Sequence, residues 1–347
     1  MLRVLLIGFG MGARIIHAPL IAACEGLELA GVVSSRTAEI AAAWPDAAIF
    51  PDLTTALAHG RFDLAVICTP NAVHAAQAHA ALDAGLHLVV DKPFALDLAE
   101  ARSIADHARQ AGRLVAAFQN RRWDGHILTA KALLDAGVFG QVSDVRLGYD
   151  RLRLVNPARW GDQPGPGSGI RLNLGSHLVD QAVHLFGAPQ TVMADIFTQR
   201  PDALIDDYVH IVLGYAGFRV VLHACMSSPA PGPVIAIQGT HAAFVKYGED
   251  TQEAMLKLGR IPGDDGWGVD PVVATFTPAE GETILAANAM SCDPGNYPAF
   301  YAGIAAAIRD TAPSPVPIEE TLLVTHILDL ARQSAEEGRR LEVAWPA

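Results

Sequence analysis

The chain has 347 residues, 51% hydrophobic and 18% charged, which is apolar material for buried cores and more length than one ordinary compact domain holds. Twenty-five Lys and Arg against thirty-seven Asp and Glu give a formal net charge of -12. That acidic balance repels phosphate backbones and anionic lipid, so nucleic acid and membrane surfaces are excluded as main partners.

The first 120 residues alternate strand and helix. Residues 2–7, apolar apart from Arg3, read as a parallel strand buried on both faces. A helix is predicted from about Gly12, then a second strand at 27–33, with further apolar runs at 47–50, 64–68, 86–90 and 114–118. Ala-rich helices lie between them; two start at N-capping aspartates, Asp52 and Asp97, and Gly112 closes the latter. This alternation predicts right-handed crossovers and a doubly wound parallel sheet, an α/β Rossmann domain over residues 1–120.

After Asn120 the pattern changes. A helix at 124–136, stopped by Gly137, leads to a strand at 142–149. A Pro/Gly-rich loop at 156–169 follows, then one predicted helix over 171–186. Strands at 192–198, 208–215, 219–226 and 234–238 have no helices between them, which implies a mostly antiparallel sheet. Helices at 299–309 and 318–336 finish the chain. Residues 121–347 therefore read as an α+β domain with an open-faced sheet, its late helices free to pack back on the first domain.

The four cysteines, Cys24, Cys68, Cys225 and Cys292, are scattered without a CxxC, and Cys68 reads as a small core hydrophobe. Residues 3–8 already belong to the first strand and no apolar run reaches the ~18 residues of a membrane span. A reduced, cytoplasmic setting is expected.

Strand one runs into Gly8-Phe9-Gly10-Met11-Gly12-Ala13, a GxGxxA turn at a strand-to-helix junction. Backbone N–H groups can approach a pyrophosphate there, and the helix N-terminus favours the anion, so a dinucleotide site is expected. An NAD site offers Asp or Glu about 20 residues past the glycines for the ribose hydroxyl. This chain offers Ser34, Ser35 and Arg36, with no acid until Glu39. Two hydroxyls and a guanidinium suit a 2′-phosphate, so NADP is the expected cofactor and NAD the alternative.

Asp91-Lys92-Pro93 follows the predicted strand 86–90, at the carboxyl edge where open α/β sheets place ligands. Thr69-Pro70-Asn71, with His74, opens a helix at the end of another strand, and Asn71 can cap it. His177 follows the Pro/Gly-rich loop on an apolar helical face, where a histidine is commonly a core residue. Asn120, Trp123, Asp150, Arg153, Trp160 and Tyr297 flank the expected domain junction and offer the donors, acceptors and aromatic wall that a polyol needs. No HExxH or carboxylate–histidine cluster has ligand spacing, so a metal-free site is expected.

Taken together, Gly8–Gly12, Cys68-Thr69-Pro70-Asn71 with His74, Asp91-Lys92-Pro93 and Leu174-Gly175-Ser176-His177-Leu178-Val179-Asp180 resemble the Gfo/Idh/MocA family of sugar and cyclitol oxidoreductases over essentially the whole chain. Phe118-Gln119-Asn120-Arg121-Arg122-Trp123-Asp124 and Pro294-Gly295-Asn296-Tyr297-Pro298 resemble its scyllo-inositol 2-dehydrogenase branch. The resemblance implies that Lys92, often before a cis proline, points at the substrate oxygen, and that His177 exchanges its proton. It also implies that Pro70, Asn71 and His74 line the nicotinamide ribose, with Asp91 beside them, and that the open sheet makes a homo-oligomer. Most members carry Asp four residues before the histidine; this chain has Asn173, which accepts a hydrogen bond but cannot stabilise an imidazolium by charge. The expected function is NADP-dependent hydride transfer at a secondary alcohol or ketone of a cyclitol or sugar. A non-catalytic dinucleotide sensor on the same fold is the alternative that Asn173 keeps open.

Overall fold

A computed structural model describes residues 1–156, 162–309 and 311–345. The chain begins β1 (Leu2–Ile7), α1 (Ala18–Ala22), β2 (Leu27–Val33), α2 (Thr37–Ala43), β3 (Ala48–Phe50), α3 (Leu53–His59), β4 (Leu64–Ile67), α4 (His74–Asp83), β5 (His87–Val90), α5 (Leu98–Ala111) and β6 (Val115–Ala117). It continues through α6 (Gly125–Asp135), β7 (Val142–Asp150), α7 (Ile170–Asn173), α8 (Gly175–Phe186), β8 (Thr191–Phe197), β9 (Tyr208–Gly214), β10 (Arg219–Cys225), β11 (Ile235–Gly239) and β12 (Ala242–Lys246). The last elements are α9 (Gln252–Lys257), β13 (Ala274–Glu280), β14 (Thr283–Ile284), β15 (Asn288–Met290), α10 (Pro298–Ile308), α11 (Ile318–Glu337) and β16 (Leu341–Glu342). They divide between two compact units, one of residues 1–120, 252–267 and 296–322, the other of residues 121–251, 268–295 and 323–347.

The first unit is a six-stranded parallel sheet in the order β3-β2-β1-β4-β5-β6. The strand order reverses between β1 and β4, and ligands of such sheets bind at the carboxyl ends beside that switch point. Leu5, Ile7, Ala65, Ile67, Leu88 and Val90 are fully buried on one face against Ala78, Ala101 and Ile104 of α4 and α5. Asp52 and Asp97 cap α3 and α5 by accepting from Thr55 N and Glu100 N, and Gly112 ends α5 in the left-handed region, as the sequence predicts. The helix after the glycine turn starts differently: residues Ala13–His17 make a π-helical turn before α1. Such wide turns concentrate at functional sites.

The second unit is a ten-stranded sheet, β14-β13-β12-β11-β7-β10-β9-β8-β16 with β15 against β13. Its pairs are antiparallel except β7 with β10, which run parallel at its centre. Strict alternation buries Val209, Ile211 and Leu213 of β9 and Val220, Leu222 and Ala224 of β10. On that face lie Leu178, Val179, Ala182 and Val183 of α8, with Val324, Ile327, Leu328 and Ala331 of α11.

The single helix expected over 171–186 is two. The first turn is held away by Asp206, whose backbone and carboxylate oxygens accept from Ile170 N (2.9 Å) and Arg171 N (2.7 Å). The bend falls at Leu174 and Gly175, glycine being the weakest helix former after proline. Among the described residues no helix is long and apolar enough to cross a membrane.

Candidate active site

The glycine turn leaves β1 at the switch point. Gly8 has φ +94°, and a Cβ there would collide with the Cys68 carbonyl at the end of β4, so only glycine lets β1 and β4 close together. A Cβ at Gly10 would meet nothing in the protein. Any demand for a bare backbone at that position therefore comes from a ligand, which fits a pyrophosphate on the turn. Phe9 is buried and Met11 exposed.

At the end of β2, Ser35 and Arg36 are exposed and Ser34 half-buried. Ser34 Oγ accepts from Arg36 N (3.1 Å), and the Arg36 guanidinium lies 3.4 Å from Glu39 in an exposed pair that a phosphate can readily displace.

Beyond β4, Thr69 Oγ1 donates to Gln77 (2.7 Å), Pro70 is exposed and Asn71 opens a short turn into α4. His74 is buried, with Nδ1 3.1 Å from the Pro93 carbonyl and Nε2 3.0 Å from the Thr69 carbonyl. Its ring fastens the loop after β4 to the loop after β5. The latter carries Asp91, Lys92 and the cis Lys92–Pro93 bond. Asp91 Oδ1 accepts from Lys92 N (2.7 Å) and Oδ2 from the Cys68 thiol (3.3 Å), with His17 Nε2 at 3.8 Å. Burial alone would raise the Asp91 carboxyl, but the neighbouring His17 ring and the charge of Lys92 hold it well below the usual carboxylate range. A carboxylate thus stands beside Lys92 at neutral pH.

Sequence reasoning missed two members of this group. His17, at the end of the π turn, is buried with its ring centroid 4.1 Å from that of Phe118, and its Nδ1 is 2.6 Å from Tyr301 Oη of α10. No local pattern signals a meeting between residues so far apart; a polar residue at the end of the helix after the glycines is the only hint. Asn120 and Tyr297 also belong to this unit; both are buried, and Tyr297 N donates to Gln252 Oε1 (2.6 Å).

In the second unit His177 is buried in the first turn of α8, while Asn173 is exposed at the end of α7. The helix of His177 is clamped one turn further on. Asp180 accepts from Arg122 Nε (2.9 Å) and Nη2 (2.6 Å), and Gln181 Nε2 donates to Tyr149 Oη (2.9 Å). Arg122 and Asp180 are each 2% exposed. The neighbouring Arg121 guanidinium lies 4.9 Å over the Tyr149 ring. Trp123 is half-buried beside them. Asp150 ends β7 with His223 Nδ1 at 2.7 Å and Gly232 N at 3.2 Å. Arg153 is exposed, its backbone joined to Met226 O (3.0 Å). Trp160 lies outside the described residues.

The first unit thus brings together Gly8–Gly12, Thr69, His74, Asp91 and Lys92 at the carboxyl edge of one sheet, and the second presents His177 on a braced helix. Residues 2–119 match the family model described as the NAD-binding Rossmann fold of the Gfo/Idh/MocA oxidoreductases, and residues 131–343 match its C-terminal alpha/beta domain. The chain belongs to the Gfo/Idh/MocA oxidoreductase family. It is accordingly an NAD(P)-dependent dehydrogenase or reductase acting on CH–OH groups. Among its relatives, the uncharacterized oxidoreductase YdgJ of Escherichia coli (strain K12) is 41% identical over 99% of both chains. The scyllo-inositol 2-dehydrogenase (NADP(+)) IolW of Bacillus subtilis (strain 168) is 33% identical over 98% of this chain and 95% of its own. The solved structure of YPO2259 from Yersinia pestis superposes with a TM-score of 0.94 at 39% identity, covering 100% of this chain and 98% of that one.

Proposed function

We propose that this family member is an NADP-dependent dehydrogenase that interconverts a secondary alcohol and ketone on a cyclitol or sugar. The observation that carries the reading is Lys92 at the carboxyl edge of β5, beside an ionised Asp91 and on the same sheet edge as the glycine turn. In this reading Gly8, Phe9, Gly10, Met11 and Gly12 hold the pyrophosphate, and Ser34, Ser35 and Arg36 hold the 2′-phosphate. Thr69, Pro70 and Asn71 border the nicotinamide ribose, and His74 and Asp91 set the loops around it. The bound dinucleotide supplies or accepts the hydride.

In the oxidative direction the substrate carbinol carbon gives up hydride, its hydroxyl gives a proton to the His177 imidazole, and the C=O bond forms. Lys92 donates hydrogen bonds to that oxygen as it acquires negative charge, the electrostatic role of an oxyanion hole. His177 suits the proton because an imidazole nitrogen can accept it and return it in the reverse direction. Asn173 would orient that ring by hydrogen bonding, without the charge an aspartate brings. Asn120, Trp123, Asp150, Arg153, Trp160 and Tyr297 remain the proposed substrate neighbours. IolW, a scyllo-inositol 2-dehydrogenase at 33% identity, supports both the cyclitol and the NADP parts of the reading. Four free cysteines are consistent with a reduced, cytoplasmic setting, and the family resemblance with a homo-oligomer.

The test is turnover of NADP or NADPH with a panel of inositols, sugars and their keto forms, followed by nicotinamide absorbance. Lys92→Ala should lower kcat by about 100-fold or more while NADP binds nearly as before. Tight NADP binding with no turnover across a broad panel would replace the dehydrogenase with a dinucleotide sensor.

A further inference from the structure

Three side chains that the proposed reaction leaves without a chemical step converge beneath the glycine turn. His17 Nε2 is 3.8 Å from Asp91 Oδ2, the Cys68 Sγ is 3.3 Å from that same oxygen, and the three ligand-type atoms all lie within 4.8 Å of one another. Tetrahedral coordination by nitrogen, oxygen and sulfur at about 2.0–2.3 Å separates neighbouring donors by roughly 3.3–3.6 Å. The 3.3 Å sulfur–oxygen separation already fits that geometry and the 3.8 Å nitrogen–oxygen separation is close to it.

The far end of two of these ligands is already fixed. His17 Nδ1 is bonded to Tyr301 Oη at 2.6 Å, and Asp91 Oδ1 accepts from Lys92 N at 2.7 Å. Outer partners of this kind orient the ligands of established metal sites. Gly12 packs directly on the pair: a Cβ there would lie 3.3 Å from Cys68 Sγ and 3.6 Å from Asp91 Oδ2, so a side chain at that position would crowd the thiol. The cluster is not sealed either, since the Asp91 side chain keeps 23% exposure.

We propose that His17, Cys68 and Asp91 form a binding site for a borderline-soft divalent cation of the zinc class. Imidazole and thiolate select such ions over magnesium or calcium, which take oxygen ligands. Charge balances: one thiolate and one carboxylate neutralise a divalent ion, and a neutral imidazole completes the set. Binding breaks the Cys68 S–H bond, forms a metal–sulfur bond and releases one proton to solvent. Because a proton is released, binding strengthens as pH rises. Occupation engages the carboxylate beside Lys92 and sets a positive ion near its ammonium, which shuts the enzyme off. That last consequence rests on the dehydrogenase reading; the binding itself does not.

The test uses the whole chain without dinucleotide, titrated with Co2+ or Cd2+ in a thiol-free reductant. One ion per chain is expected, with a thiolate-to-metal charge-transfer band and release of one proton. Cys68→Ala should abolish the band, and Tyr301→Phe, which leaves all three ligands in place, should weaken binding by roughly 10-fold or more. A missing band overturns the site, as does a band that survives Cys68→Ala and so belongs to Cys24, Cys225 or Cys292. Parent affinity in Tyr301→Phe would also overturn it. Zn2+ should inhibit turnover reversibly on chelation, and a Zn2+-loaded chain with undiminished kcat refutes the regulatory half while leaving the dehydrogenase reading intact.

Discussion

Deleting one partner of the Arg122–Asp180 pair strands a charge in a site that admits almost no water. Each side chain is 2% exposed, and the two N–O contacts are 2.6 and 2.9 Å long, a bidentate geometry. Losing one partner of such a pair costs about 3–5 kcal/mol, whereas replacing both by apolar groups of similar size is often neutral. Asp180→Leu and Arg122→Met should therefore each lower unfolding stability by about 3–5 kcal/mol, and the double variant by far less than the sum. Urea unfolding of the parent, both singles and the double completes the cycle. His177 lies three residues before Asp180 on α8, so the singles should also lose about 10–100-fold in kcat with NADP affinity held. Singles costing less than about 1 kcal/mol, or a double as unstable as the sum, would refute the clamp.

Two further outcomes follow from charge placement. Arg36→Ala should weaken NADP by about 10-fold or more and leave NAD within a factor of about two, as measured by fluorescence titration; equal losses would remove the 2′-phosphate role. His126 is pushed down to about 3 by burial and then by Lys246 and Arg121, and His184 to about 4 by burial and then by Arg122 and Lys131. Both stay neutral in the fold yet take up protons near pH 6.5 once unfolded. Their contribution is intact above about pH 6.5 and is lost as pH falls toward 4, by up to about 1.4 kcal/mol per pH unit for each. Urea midpoints should drop between about pH 6.5 and 5, and His126→Gln should flatten that slope; a parent midpoint constant over the window contradicts the assignment.

The Rossmann strands were legible because parallel strands buried on both faces read as apolar runs: β4 and β6 are unbroken, and β1, β2 and β5 are interrupted only by Arg3, by Glu28 and by His87. The strands β13 to β15 were not. Only Ala274 of β13 is buried, and β14 is exposed, so no alternation marks them. Helix α9 is six residues long, too short for periodicity to register. Of the proposed site residues, the glycine turn, Lys92 and His177 are marked in the sequence by motif and by position at element ends. The bracing groups were hidden because their partners come from remote segments. Tyr301 reaches His17 from α10, and Asp180 meets Arg122 from a different helix. Asp150 could be placed at a strand end from sequence, but its company there, His223 and the Gly232 amide, depends on sheet register.

The excursion of the chain bears on how the protein is made. Phe300 and Tyr301 of α10 cover Phe118 and His17, with the two phenyl centroids 4.9 Å apart, yet that cover lies near the end of the polypeptide. At about 5–20 residues per second, a ribosome needs roughly 10–40 s to go from residue 120 to residue 322, where the first unit is completed. During that interval the nascent sheet waits with an apolar flank bare, while the whole second sheet begins to form behind it. A gene fragment stopping at residue 120 would keep that flank bare permanently and would yield a sticky, incomplete nucleotide-binding half.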